Sequence, residues 1–181
     1  IGKPTTRLDA QAKSSGQQDY GIDVHLPGML TAVVARPPVF GAKLKSLDDS
    51  TAKAIAGVKA VLRVPTDRGG EGVAIIAEGY WPAKQGRDAL KVEWDTASVE
   101  KPDTAQLLTQ YRALAQKTGS IAIPADVAAL ANAPQKISAE FTFPYLAHAP
   151  MEPLNCTVKL DGDKAELWMG TQLPGLDAMA A

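Results

Sequence analysis

Val73-Ala74-Ile75-Ile76-Ala77 is an unbroken apolar run, preceded by the flexible polar stretch Asp67-Arg68-Gly69-Gly70-Glu71-Gly72 and followed by Tyr80 to Leu90, which reads as a helix. A short apolar run bounded by turn signals predicts a buried strand. Working outward, Lys59 to Val64 is another short strand, and Lys91 to Trp94 returns as a strand after the helix. Upstream, Leu26-Pro27-Gly28 marks a turn, and Met29 to Arg36 is a nearly continuous apolar run that Pro37-Pro38 ends. Ser46 to Ala56 carries helix-start chemistry. Ser46 or Asp48 can accept from unpaired N–H groups, the aspartates suit the positive helix end, and Gly57 can close it. On the Tyr80–Leu90 helix, Trp81, Ala89 and Leu90 are placed inward, and Lys84, Arg87 and Asp88 outward. The order strand, helix, strand, strand, helix, strand predicts a compact α+β unit over residues 20–95.

Residues 1–19 are polar and turn-rich and read as an extended lead-in. Residues 96–135 read as a linker with helices. Leu107, Leu108, Tyr111 and Leu114 share one face of a helix over Thr104 to Gln116, and Pro124 to Asn132 forms a shorter helix. Residues 136–181 are β-rich. Ile137, Ala139, Phe141 and Phe143 alternate with polar residues, predicting a half-buried strand. Leu154, Cys156, Val158 and Leu160 alternate in the same way, Asp161-Gly162 makes a tight turn, and Ala165 to Met169 returns as a hairpin. Pro174 then opens a helix whose stripe begins with Leu176 and Met179. Such a short helix has little to hold it, and the chain is expected to be a piece of a longer polypeptide.

Composition narrows the function classes. Of 181 residues, 45% are hydrophobic and 22% charged, the balance of an ordinary globular protein. A chain of this size buries enough surface to fold without a disulfide or metal. Nineteen basic and twenty acidic residues leave a net charge of −1, which argues against nucleic-acid binding. No apolar run approaches the roughly 20 residues of a membrane span. One cysteine, Cys156, cannot hold an iron–sulfur cluster or a structural zinc, and two histidines far apart make a histidine zinc site unlikely to arise.

Gly69-Gly70-Glu71-Gly72 lacks the spacing and following helix of a nucleotide-binding loop and reads as a hairpin loop. A Gly-x-Ser-x-Gly nucleophile elbow is absent from the sequence. Cys156, on an alternating strand, reads as a buried small hydrophobe. Tyr145 to Asn155 is the densest candidate. His148 and Glu152, four apart in a proline-stiffened loop, can pair with each other. The preferred reading of the residues alone is that they satisfy buried backbone groups at a strand crossover. Gln172, just past a strand end and before a helix, can donate to an oxo ligand or phosphate without adding charge, or simply serve a turn or cap.

Taken in order, these segments resemble the molybdenum-containing large subunit of the xanthine dehydrogenase and aldehyde oxidase superfamily, in particular its isoquinoline 1-oxidoreductase beta-subunit branch. The carrying stretches are Ile1-Gly2-Lys3-Pro4, Arg7-Leu8-Asp9, Tyr20 to Val24, Leu26 to Leu30, Ala35-Arg36-Pro37-Pro38, Gly57-Val58, Val73 to Ala77, Trp81-Pro82-Ala83, Leu90 to Asp95, Tyr145 to Cys156 and Trp168 to Gln172. The resemblance implies an α/β hammerhead domain at 20–95 and, at 136–181, the β-rich beginning of a molybdopterin-binding domain. It matches Gln172 to the glutamine that contacts an oxo ligand of the molybdenum centre. His148 and Glu152 match a frequent pattern of the branch and are possible supporting residues.

The parent activity so implied is hydroxylation of an N-heterocycle or aldehyde with water-derived oxygen. It would use a molybdopterin-type molybdenum cofactor and pass electrons to a small 2Fe-2S subunit. The family's Gly-rich loop and glutamate base have no counterpart here. No catalytic or metal-ligating residue is therefore expected in these residues, and this piece alone is expected to be inactive and to bind no cofactor. A bacterial, periplasmic location follows from the resemblance as an expectation. The competing reading is a non-catalytic scaffold or subunit-interaction module.

Overall fold

The computed structural model describes residues 2–125 and 128–180. In chain order the elements are α1 (Ala10–Ser14), β1 (Thr31–Ala35), β2 (Lys43–Asp48), α2 (Ser50–Lys53), β3 (Val58–Pro65), β4 (Glu71–Ala77), α3 (Tyr80–Asp88), β5 (Lys91–Asp95), α4 (Thr104–Ala115), α5 (Ala128–Asn132), β6 (Cys156–Asp161), β7 (Lys164–Met169) and α6 (Pro174–Ala180), a mixed helix-and-sheet architecture. Two compact units form: residues 28–139, and residues 1–27 together with 140–181. The first takes in the segment read as a linker, and the second takes in the lead-in.

In the unit 28–139, β4 is the central strand of an antiparallel sheet ordered β1-β4-β3. Val73, Ile75 and Ala77 are fully buried, as is Ala83 on α3, which packs on this sheet. The polar loop before β4 is a hairpin turn: Thr66 N donates to Gly70 O at 2.9 Å, and Gly70 N to Asp67 O at 3.1 Å. Strands β2 and β5 form a second antiparallel pair. Glu71 joins the two sheets. Its backbone N–H donates to Ala42 O at 3.0 Å, while its carboxylate accepts from Leu44 N at 2.7 Å. A hydrogen bond to a charged acceptor is about twice as strong as a neutral one.

Helix α3 approaches β4 closely because Gly86 faces it. A Cβ at Gly86 would fall 2.7 Å from Ile75 Cγ2. Small residues therefore fill the contact, and Trp81, expected inward, is exposed, with the Lys84 ammonium 5.6 Å from its ring centre. Helix α4 is capped by Asp103, whose carboxylate accepts from Gln106 N at 3.0 Å. The expected helix over 124–132 is described only from Ala128; residues 126 and 127 lie outside the described residues.

The expected helix over 46–56 is corrected. Lys43–Asp48 is a strand, and only Ser50–Lys53 is helical. Asp48 still does capping chemistry: its carboxylate accepts from Ser50 N at 3.1 Å and Ser50 Oγ at 2.6 Å. These two bonds, the hydroxyl first, hold its pKa below the ordinary aspartate value. A lowered folded-state pKa means the stabilisation is complete above the unfolded value and disappears as pH falls through the folded one. Asp48→Asn is therefore expected to make unfolding less dependent on pH below the ordinary aspartate range, with no change in slope from there to neutrality. Urea melts across pH check this, and parallel curves for the two proteins in acid would contradict it.

The expected strand over Ile137 to Phe143 does not form, and the side chains of Ile137 and Phe143 are 100% and 80% exposed. Alternation marks which side chains would face a core, but a strand also requires a partner ladder, and none of the described strands pairs with this segment.

The hairpin forms as expected, with Cys156 opposite Met169 and Asp161 opposite Lys164 across the Gly162-Asp163 turn. Cys156, however, is exposed rather than buried. Its sheet has two strands only, so alternation selects a face without covering it. Among the described residues, no helix is long and apolar enough to cross a membrane.

Candidate functional site

The candidate residues lie on the unit formed by 1–27 and 140–181. The turn at Gly21–Asp23 packs on β6. Gly21 permits this approach, since a Cβ there would lie 2.7 Å from Asn155 Oδ1. That oxygen is buried and has no hydrogen-bond partner among the described residues. The Asn155 amide nitrogen is well used, donating to Glu152 Oε1 at 3.1 Å and Pro153 O at 2.8 Å. Glu152 also reaches across to the residue that leaves β7: a Cβ at Gly170 would lie 3.8 Å from its Oε2.

An open cleft of about 310 Å³ follows, lined by Asp9, Lys13, Tyr20, Glu152 and Gly170 among others. Within it the Lys13 ammonium sits 2.6 Å from Asp9, and this contact, ahead of the Arg7 charge, holds the Asp9 carboxyl below its ordinary pKa.

His148 and Glu152 do not pair. Glu152 is half-buried against Asn155, while His148 is exposed. Four-residue spacing brings side chains together on a helix. Here Pro150 and Pro153 hold a non-helical loop, and Ala149 turns it at φ +39°. Asn155, the residue Glu152 does use, carries no signal in its spacing; only the polar density of 145–155 points to it.

Gln172 is exposed between β7 and α6. Its neighbours are tied down. Leu173 N donates to Thr171 Oγ1 at 3.1 Å, and the Thr171 hydroxyl donates to the Asp177 carboxylate. Leu173 O then accepts from Leu176 N at 2.9 Å and Asp177 N at 3.1 Å, starting α6. Among the described residues, no group of three His, Cys, Asp or Glu side chains is placed to hold a metal ion. The geometry offers a single neutral amide at an open strand-to-helix junction. That fits one contact to a large cofactor supplied with further protein around it.

Comparison with known proteins bears on the origin of this arrangement. The chain is 32% identical over 192 aligned positions to isoquinoline 1-oxidoreductase subunit beta of Brevundimonas diminuta, spanning 98% of this chain and 24% of that protein. It is 28% identical to the nicotinate dehydrogenase large molybdopterin subunit of Eubacterium barkeri, spanning 67% of this chain and 32% of that protein. The chain is a homologue of these two subunits. It spans about a quarter to a third of the length of these curated relatives. Among solved structures, quinoline 2-oxidoreductase from Pseudomonas putida 86 shares the fold, with a TM-score of 0.67 at 19% identity over 99% of this chain and 28% of that one. No family model matches the chain.

Proposed function

We propose that this chain forms part of the large subunit of a molybdenum-cofactor oxidoreductase that hydroxylates an N-heterocycle such as an isoquinoline, or an aldehyde. The observation that carries this is the 32% identity to isoquinoline 1-oxidoreductase subunit beta in an alignment that covers 98% of the chain. On this reading residues 20–95 are the hammerhead scaffold, and residues 136–181, which carry β6 and β7, are the beginning of the cofactor-binding part.

When bound, the molybdenum group supplies the two-electron oxidation, with water as the source of the added oxygen. The chain's own contribution is orientation. Gln172 would help hold that group by donating its side-chain amide N–H to it, a contact that orients without adding charge. Glu152, held by the Asn155 amide, lies beside Gly170, the residue from which the chain departs toward Gln172. One amide cannot hold a large anionic cofactor, which needs many backbone donors and an enclosing pocket, so most of the binding surface belongs to the rest of the large subunit. A small 2Fe-2S subunit would be the partner that accepts the electrons.

The test is metal analysis of the full-length protein co-expressed with its small subunit. Stoichiometric molybdenum is expected. An intact, folded preparation free of molybdenum would overturn the proposal and leave the scaffold reading standing.

A further inference from the structure

We propose that Thr171 and Asp177 are positioning residues for the Gln172 amide, an inference that rests on the role given to Gln172 above. The Thr171 hydroxyl is used twice: it donates to the Asp177 carboxylate and accepts from Leu173 N at 3.1 Å. It therefore ties the residue before Gln172 both to the residue after it and to the first part of α6. Behind this lock, Met169 is anchored opposite Cys156 in the hairpin ladder. Ahead of it, Leu173 O is held by the N–H groups of Leu176 and Asp177.

Of the polar side chains from Thr171 to Asp177, that of Gln172 is exposed and has no hydrogen bond among the described residues, while Thr171 and Asp177 bond each other. A locked backbone fixes the Cα–Cβ direction from which the Gln172 side chain extends. It removes backbone ordering entropy that would otherwise be lost when the amide meets its target, and leaves only the side-chain torsions to be ordered. The carboxylate acceptor makes the lock charge-assisted, and Asp177 lies in the first turn of α6, where negative charge is favoured.

A plain capping role would make the same bonds, so the test reads the metal environment as well as turnover. In the metal-loaded full-length enzyme with its partner subunit, Thr171→Val and Asp177→Ala, which remove the donor and the acceptor of the bond between Thr171 and Asp177, are each expected to lower turnover about tenfold. Each is also expected to shift the molybdenum EPR spectrum in the direction seen for Gln172→Ala. Thr171→Ser, which keeps the hydroxyl, is expected to retain the parent rate and spectrum. In a Gln172→Ala background, Thr171→Val should add no further loss, because the two changes act through the same amide.

The proposal is overturned if Gln172→Ala changes rate and spectrum while Thr171→Val and Asp177→Ala leave both at parent values. It is also overturned if the Thr171→Val loss persists in full on top of Gln172→Ala. A Gln172→Ala enzyme with unchanged rate and spectrum would remove the role of Gln172 itself, and the lock with it.

Discussion

Ile75→Ala is expected to destabilise the unit 28–139 by about 2–5 kcal/mol, a large fraction of the roughly 5–15 kcal/mol that holds a domain together. Among the described residues, Ile75 and Val73 are the largest fully buried side chains, and the rest of the buried apolar set is alanine: Ala42, Ala52, Ala74, Ala77 and Ala83. Few other groups can compensate for the lost methyls. The space opened lies against Gly86, which has no side chain to move into it.

The same geometry sets a companion result. Gly86→Ala alone gains helix propensity but drives a methyl to 2.7 Å from Ile75 Cγ2, so it is expected to be destabilising. Combined with Ile75→Ala, the new methyl occupies the vacated space, and part of the loss should return. Urea denaturation of the four proteins reads this cycle directly. A loss under about 1 kcal/mol for Ile75→Ala, or additive losses in the double variant, would contradict the packing of α3 on β4 described here.

The other large effect concerns the site. Gln172→Ala in the full-length enzyme is expected to lower turnover about 10–100-fold, the usual cost of removing a group that orients a metal centre from outside its ligand set. The fold should be unaffected, since the Gln172 side chain is exposed and the surrounding turn is closed by Thr171, Leu173 and Asp177. Thermal melting and turnover measured on the same metal-replete preparation separate the two effects. Unchanged turnover, or a lowered melting temperature matching the lost activity, would contradict the role assigned to the amide.

The elements that could be read from sequence are those whose periodicity is local. β4 is a continuous apolar run because it is buried along its length, and the β6–β7 hairpin shows clean alternation around a glycine turn. β2 escaped for a structural reason. Its register slips between Leu44 and Ser46, leaving Lys45 as an extra residue. The bulge puts Leu44 and Leu47 on the same side three residues apart, which mimics helical spacing and hides the strand. The neighbouring Ser and Asp residues then suggested a helix start that belongs only to the short α2.

Trp81 shows a different gap. Its hydrophobicity suggested burial, but the interface of α3 was already set by Ala83 and Gly86, whose small size no hydrophobic pattern weighs. At the site, the strand end at Met169 and the proline at Pro174 placed Gln172 at a strand-to-helix junction from sequence alone. The partner of Glu152 could not be read, because the loop from Tyr145 to Asn155 is irregular and spacing there carries no geometry.

The most direct measurement is the distance from the Gln172 side-chain amide to the molybdenum group in a crystal structure of the metal-loaded, full-length enzyme. An amide nitrogen at hydrogen-bond distance, about 2.7–3.2 Å, from an oxygen of that group is the expected result. An amide turned away from the metal, with another residue holding that oxygen, would contradict it.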